Sequence, residues 1–426
     1  MPIDPPPRTP RRLGEWLAYQ ETLHPRAIEL GLDRVRSVAI TLDLLHPRAR
    51  TLTVAGTNGK GSTVALLDGI YRAAGYRVGT YTSPHLLRYN ERIVVDGKPV
   101  DDDALCEAFE LIEAARGSIE LTYFEFGTLA ALWLFRAADV DVQVLEVGLG
   151  GRLDAVNIID TDAALVTNIG LDHIDWLGSD RESIGREKAG IFRHGRVAIC
   201  VDIEPPASIA AVAAAVGAPL RSIGIDFSYS PRSDGRWEWR GGAGADAVTI
   251  GDLPAPALAG AVQLRNAAGA LALVEAMQSS LPVAATAIRA ALPALHLPGR
   301  FERRGAVILD VAHNAEAAQI LALNLRETGL AGRARLVLGM LADKPVEEVA
   351  AALAPVVVAT YLGGLPPPRG LSSDVLAERA HVLRGKQFPD ILSAFAAATR
   401  DLGRDEVVLV CGSFLTVAEV ARQLDG

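Results

Sequence analysis

Lys60 stands in Val54-Ala-Gly-Thr-Asn-Gly-Lys-Gly-Ser-Thr63, between a short apolar run and an amphipathic one. A strand that ends in a glycine-rich turn and opens a helix points successive backbone N–H groups and a helix N-terminus at one spot, which suits a phosphate. A lysine there reaches the terminal phosphates, and a hydroxyl from Ser62 or Thr63 can face magnesium. The common form G-x-x-x-x-G-K-[ST] is not met, since Val54 holds the first glycine position and Gly61 follows the lysine. Of 42 basic residues five are lysines, Lys60, Lys98, Lys188, Lys344 and Lys386. Arginine serves wherever a plain positive charge suffices, so a retained lysine points to a need for a compact ammonium or a reactive amine. Lys60 is the first candidate and Lys188 the second.

Five more clusters carry groups of the right chemistry: Thr82-Ser-Pro-His-Leu86, Tyr123-Phe-Glu-Phe-Gly-Thr128, Glu146-Val-Gly-Leu-Gly-Gly-Arg-Leu-Asp154, Thr167-Asn-Ile-Gly-Leu-Asp-His173 and Asp310-Val-Ala-His-Asn314. Acids, hydroxyls and imidazoles around a phosphate loop are what a nucleotide–metal site requires, and magnesium is content with one carboxylate, one hydroxyl, phosphate oxygens and water. Each cluster also has a plainer reading. Glu146 could cap a turn, His173 could be a loop histidine, Lys188 could sit on a solvated helix face, and Asp310 with His313 could cap the next helix.

The elements that must position these groups alternate. Short apolar runs at 51–55, 78–81, 142–147, 163–168, 196–201, 306–311, 334–339, 355–361 and 406–411 read as strands. Helix-period segments at 62–74, 103–115, 125–138 and 314–327 lie between them. The pattern predicts α/β architecture with mostly parallel sheets, whose ligands gather at strand ends. Residues 226–253 break the rhythm and read as an antiparallel hairpin around the Asp234-Gly235 turn. The Pro-bearing stretch Leu292–Pro298 is the best domain boundary, and 426 residues are too many for one ordinary core.

The net charge of −9, with no basic tract, argues against nucleic acid as a partner. The longest apolar stretch, Phe126–Phe135, is short of a membrane span, and Met1–Arg12 is Pro/Arg-rich without the apolar core of a secretory signal. Cys106, Cys200 and Cys411 are single and scattered, which argues for buried thiols in a reducing cytoplasm and against disulfides or zinc.

The order of the motifs resembles the dihydrofolate synthase/folylpolyglutamate synthase group, relatives of the Mur peptide ligases. Gly56-Thr-Asn-Gly-Lys-Gly-Ser62, Ser83-Pro-His-Leu86, Glu146 to Ala155, Glu187-Lys-Ala-Gly-Ile191, Leu297-Pro-Gly-Arg300 and Asp310 to Asn314 carry the resemblance, which spans Leu23 to Phe414. It implies a Mur-ligase-like fold: an N-terminal P-loop nucleotide-binding domain over 1–298 that also binds pterin, and a smaller C-terminal Rossmann-like α/β domain over 299–426 that completes the ATP and glutamate site. The implied reaction uses ATP to phosphorylate a carboxylate of dihydropteroate or a folate, and the amino group of L-glutamate attacks the acyl phosphate. By position, Thr57, Asn58, Gly59, Lys60, Gly61 and Ser62 would hold phosphates, with Asn266, Arg300 and Asp310 completing the nucleotide site. Ser83, Glu146 and His173 would hold magnesium, of which two ions are expected. Lys188 matches a lysine that can be carbamylated, and His313 lies where a phosphate or glutamate contact would be useful. Leu23, His24, Thr122, Tyr123, Phe124, Glu125, Leu153, Asp154 and Ala155 match pterin-binding segments, with Asp154 the pairing acid. Val156 and Ala315 depart from the group's pattern, where threonine and proline are common.

The resemblance implies a cytoplasmic monomer with small-molecule partners. A Mur-type ligase acting on a nucleotide-linked muropeptide would need roughly a hundred further residues before the phosphate loop. A nucleotide-regulated binding protein without ligase activity would be expected to lack a metal ligand or Lys60, and neither is missing.

Overall fold

The computed structural model of the chain describes residues 11–26, 28–242, 247–257 and 260–425. Residues 1–10 of the Pro/Arg-rich start and residues 243–246 of the expected hairpin lie outside the described residues. An eight-stranded sheet runs in the order Lys98–Pro99, Ile93–Val95, Val78–Tyr81, Val142–Glu146, Arg50–Ala55, Ala163–Val166, Val197–Cys200, Leu220–Ser222. Its members from Val78–Tyr81 onward are parallel, and the first two strands are antiparallel additions at one edge. The middle strands are buried almost end to end and mostly apolar because helices cover both faces, as parallel sheets require. On one face Leu52 and Val54 pack with Val64, Leu67 and Ile70 of helix Lys60–Ala73 and with helix Ala261–Ala276. On the other, Ala55 and Leu145 meet Phe126, Leu129 and Phe135 of helix Tyr123–Ala137.

Register decides where the chemistry goes. Tyr81 pairs with Leu145, Val54 with Glu146 and Ala55 with Val166, so four strands end level. The phosphate loop, Thr82-Ser83, Glu146 and Thr167-Asn168 therefore leave the sheet at one edge.

A second, six-stranded sheet runs Glu302–Arg304, Val307–Leu309, Val407–Cys411, Ala334–Leu338, Val357–Gly363, Lys386–Phe388, with only the first strand antiparallel. Here Leu309 pairs with Val410, and Leu338 with Cys411, which brings Asp310–Asn314, Gly412–Phe414 and the loop to Lys344 to one edge. The expected hairpin is instead a three-stranded antiparallel sheet, Phe227–Pro231, Arg236–Gly241 and Val248–Pro254. It presses Trp237 and Trp239 onto helix Ala261–Ala276, where the Trp239 indole donates to the Ala268 carbonyl at 3.0 Å. Cys200 and Cys411 are buried thiols as expected, while Cys106 is partly exposed. No helix among the described residues is long and apolar enough to cross a membrane.

Candidate active site between the two sheets

The phosphate loop is held open by contacts that demand its glycines. Gly56 has φ +146° and Gly59 φ +83°; a Cβ on Gly56 would overlap the Thr167 hydroxyl, and one on Gly59 would come within 2.9 Å of Asn266. Thr167 Oγ1 donates to the Asn58 carbonyl at 2.6 Å, and the Asn58 N–H donates to Asn168 Oδ1 at 2.8 Å. Lys60 opens helix Lys60–Ala73, and its Nζ donates to the carbonyls of Gly56 at 3.0 Å and Thr57 at 3.1 Å. Lys188 donates to the same Gly56 carbonyl at 2.9 Å. Lys188 is thus buried on helix Arg181–Ala189 and not on a solvated face. Burial, reinforced by the neighbouring Lys60 charge, pushes its pKa down to about 7. Burial lowers Lys60 as well, against the pull of Glu146.

Glu146 is buried and accepts a hydrogen bond from the Ser83 N–H at 3.3 Å; burial raises its pKa and Lys60 opposes the rise. Ser83 precedes a cis bond to Pro84, and the loop beyond is organised by Glu91, which accepts from the N–H groups of Leu86, Leu87 and Arg88 at 2.7–2.9 Å. His173 sits at φ +53° with its side chain 40% exposed, and partial desolvation lowers its pKa, which favours the neutral imidazole that can serve as a ligand.

The second sheet supplies the facing wall. Asp310 accepts from the N–H groups of Phe301 and Ala312 at 2.8 and 2.9 Å, which fixes the turn that carries Arg300. The helix cap at this point is Asn314, not Asp310 or His313: its Oδ1 accepts from the Ala317 N–H. His313 Nδ1 faces the Val311 carbonyl at 2.9 Å, so Nδ1 carries the proton and Nε2 a lone pair; burial pushes the pKa to about 4.

These residues line one cavity of about 210 Å³: Thr57, Asn58, Gly59, Lys60, Gly61 and Ser62 with Ser83, Glu146, His173, Lys188, Asn266, Arg300, Asp310 and His313. Among the described residues no three His, Cys, Asp or Glu side chains form a metal cluster. One buried carboxylate, one hydroxyl and one neutral imidazole beside a phosphate loop nevertheless fit magnesium, which takes the rest of its shell from phosphate and water.

A second cavity of about 610 Å³ adjoins the first through Ser83, Pro84, Gly148, His173, His313 and Phe414. It is lined by Thr122, Tyr123, Phe124 and Glu125 and by Leu153, Asp154 and Ala155. Thr122 and Glu125 form a capping box, and Glu125 is also paired with Arg34 at 3.1 Å, so its carboxylate is already engaged. Asp154 accepts from the N–H groups of Leu149 and Val156 at 2.8 and 3.1 Å, and burial pushes its pKa up to about 7 against those bonds.

Leu23 and His24 do not line this cavity. Leu23 ends helix Leu13–Leu23 and packs on the core, while the half-buried His24 turns its Nδ1 to the backbone of Arg26. Ile28, Glu29, Leu30 and Gly31 take their place, because Arg34 ties the Glu29 carbonyl to Glu125 and the Gly31 N–H reaches the Leu153 carbonyl at 3.3 Å.

Three further side chains escaped the sequence reading. Lys344, buried on the second domain, pairs with Asp172 at 3.2 Å; its signal was the scarcity of lysine. Lys344, His173 and His313 pull the Asp172 carboxyl, against its burial, down to about 2. Glu316, in the first turn of helix Ala315–Glu327, accepts from Asn58 Nδ2 at 2.9 Å and from Asn168 Nδ2 at 2.5 and 2.6 Å. A Cβ on Gly170 would meet the Glu316 carboxylate at 2.7 Å, so a larger residue there would push this carboxylate aside. Arg92 is the third, and nothing in its local sequence marks it among the many arginines.

Comparison with known proteins completes the description. The family description "Mur ligase middle domain" matches residues 54–230, and "Mur ligase, glutamate ligase domain" matches 299–414. A dihydrofolate synthase/folylpolyglutamate synthase of Escherichia coli (strain K12) is 48% identical over 424 residues, covering 98% of this chain and 97% of its own. The protein of the same name from Haemophilus influenzae is 37% identical, covering 96% of each. Among solved structures, E. coli FolC in complex with DHPP and ADP superposes with a TM-score of 0.92 at 47% identity, covering 97% of this chain and 98% of the other. A bifunctional folylpolyglutamate synthase/dihydrofolate synthase with Mn, AMPPNP and L-glutamate bound gives 0.90 at 47% identity, covering 98% of each.

Proposed function

The chain belongs to the dihydrofolate synthase/folylpolyglutamate synthase family of Mur-type ligases, and from that premise we propose how its own residues carry the reaction. It is an ATP-dependent amide-forming ligase that joins L-glutamate to 7,8-dihydropteroate and to folates. The observation that carries the residue assignment is the cavity between the sheets, where the phosphate loop, Glu146, Lys188 and Arg300 meet.

A carboxylate is a poor acylating agent, so it must first become an acyl phosphate, and catalysis rests on holding phosphates and placing cations where charge builds up. The Thr57 and Asn58 N–H groups are tied to Asn168, which sets the turn, and the backbone N–H groups of Gly59, Lys60 and Gly61 cradle the ATP phosphates. Lys60 turns from the Gly56 and Thr57 carbonyls to the phosphoryl group in transfer, and Arg300 holds the phosphates from the second domain. Asn266 and Asp310 place the nucleoside, Asp310 by fixing the Phe301–Ala312 turn. Ser62 adds a phosphate contact. Ser83, Glu146 and His173 hold magnesium, which when bound neutralises phosphate charge.

Lys188 is a candidate for carbamylation, because an amine must be neutral to take up carbon dioxide and burial brings its pKa to about 7. His313 lines both cavities and Lys344 the second, a place suited to the incoming glutamate. The pterin occupies the second cavity against Tyr123 and Phe124, with Asp154 and Leu153–Ala155 at its polar edge.

We place the domain boundary between Pro298 and Gly299, so that ATP bridges residues 1–298 and 299–426. We also read the protein as a cytoplasmic monomer, on its unpaired thiols and a site complete within one chain. The test is ADP release on addition of L-glutamate with dihydropteroate, then with a reduced folate. Release that needs both glutamate and a pteroyl acceptor is the expected result. ATP binding without such release would leave a nucleotide-binding protein.

A further inference from the structure

The charges that line the larger cavity can be counted against their partners. Glu125 is paired with Arg34, Glu29 with Arg26, Lys344 with Asp172, and Arg369 with Asp343 at 3.6 Å. Asp154 is held by backbone N–H groups, and Glu21 is exposed without an ion pair among the described residues. Arg92 is the buried cation that breaks the pattern: it is nine-tenths buried, yet among the described residues no carboxylate forms an ion pair with it. Its Nε donates to His85 Nδ1 at 2.9 Å, and its guanidinium lies 5.3 Å and 5.4 Å from the ring centres of Tyr89 and Tyr123. Nη1 and Nη2 have no hydrogen-bond partner among the described residues, so the donor pair that suits a carboxylate is left for the cavity. A buried cation without a counter-charge is costly unless a ligand supplies one.

The two acceptors differ in the charge they would bring. Dihydropteroate has one carboxylate, and phosphorylation consumes it. A folate that already carries glutamate presents its γ-carboxylate for phosphorylation and keeps an α-carboxylate a few bonds away. The Arg92 carbonyl accepts from the Thr82 N–H at 2.9 Å, next to Ser83, and its Nε bonds His85, just beyond Pro84. Arg92 thus joins the Ser83–Pro84 corner that both cavities share to the Tyr123 ring, between the reacting end of the acceptor and the pterin wall. We infer that Arg92 binds the α-carboxylate of a glutamate-bearing folate through Nη1 and Nη2, and so sets how well the enzyme extends folates relative to dihydropteroate. Tyr89, Tyr123 and His85 hold the guanidinium plane for that bidentate contact. The inference rests on the ligase reading above.

The test compares three acceptors, each with ATP and L-glutamate: dihydropteroate, tetrahydrofolate monoglutamate, and the tetrahydropteroyl conjugate of 4-aminobutyrate, which keeps the reactive carboxylate but lacks the α-carboxylate. In the wild type, kcat/KM for the glutamate form should exceed that for the aminobutyrate form by roughly 10- to 100-fold, the range for a hydrogen bond to a charged group. In Arg92→Gln that ratio should fall to near unity, with KM for tetrahydrofolate rising far more than KM for dihydropteroate. Arg92→Lys, which keeps the charge but not the fork, should fall between and covers the case in which the glutamine variant does not fold. An unchanged glutamate-to-aminobutyrate ratio in both variants, or equal losses on all three acceptors, would overturn the inference. If the wild type releases no ADP with any acceptor, the ligase reading fails, whatever Arg92 does.

Discussion

The two cavities share a wall but solve opposite electrostatic problems. The nucleotide cavity gathers Lys60, Lys188 and Arg300 with Glu146 and Asp310 in one buried space, and its lysines rest on loop carbonyls. The acceptor cavity is walled by aromatic and aliphatic side chains, and most of its charges are paired within the protein, whereas Arg92 is a buried cation with no ion pair among the described residues. The difference teaches where ligand charge arrives: densely on the phosphate side, and at one place on the acceptor side.

The contrast breaks most visibly at Lys60. Lys60→Ala should lower turnover by roughly 10³-fold or more, since the phosphoryl group in transfer loses its proposed ammonium contact. ADP release by the folded variant measures this, and a loss below tenfold would mean that the excess of cations is not catalytic. Glu146→Gln should cost on the order of 10²-fold, because a neutral amide is a poor magnesium ligand. ATP should still bind, and titration with the metal should show weakened affinity. Wild-type metal affinity in an inactive variant would remove Glu146 from the ligand set.

A smaller effect sharpens the comparison by asking how the second sheet reaches the first cavity. Glu316 joins the phosphate loop to the helix of the other domain through Asn58 and Asn168. Glu316→Ala should raise KM for ATP by about tenfold, the scale of a hydrogen bond to a charged group, and leave KM for the pteroyl acceptor nearly unchanged. Equal changes in both would show that the clasp serves the whole closed form and not the nucleotide side.

Legibility followed the same division. The phosphate loop, the acid at the end of Val142–Glu146 and the alternation of strands and helices are local patterns, and each can be read within a dozen residues. The level strand ends turned them into one cavity without further instruction. The acceptor cavity depends on contacts between distant segments. Ile28–Gly31 lines it, in place of Leu23 and His24, because Arg34 bridges to Glu125 and Gly31 to Leu153. The third antiparallel strand, Val248–Pro254, buries only Leu253 and so shows no alternation to read. Arg92 carries no local mark at all; its meaning is the absence of a partner, which sequence does not display.

The smallest effect concerns Lys188, and its sign is fixed by the direction of its pKa shift. An ordinary lysine holds its proton to about pH 10.5, whereas the buried amine gives it up at about 7. Between those values the unfolded chain binds more protons than the folded one, so this residue makes stability rise with pH from about 7 towards 10.5. Below pH 7 both states are protonated, and the full cost of burying the cation is present. Lys188→Met removes the titrating group and keeps an unbranched chain of similar length. With carbon dioxide excluded, the variant should melt a few degrees above the wild type at pH 6.5, and the gap should narrow steadily as the pH rises through 9 towards 10.5. Adding bicarbonate at pH 8 should then raise the melting temperature of the wild type but not of the variant, because a carbamate places an anion beside Lys60 where a neutral amine stood. A gap that does not vary with pH would place the ammonium in an environment as well solvated as the surface. Lys188 would then be no more than a prop for the Gly56 carbonyl.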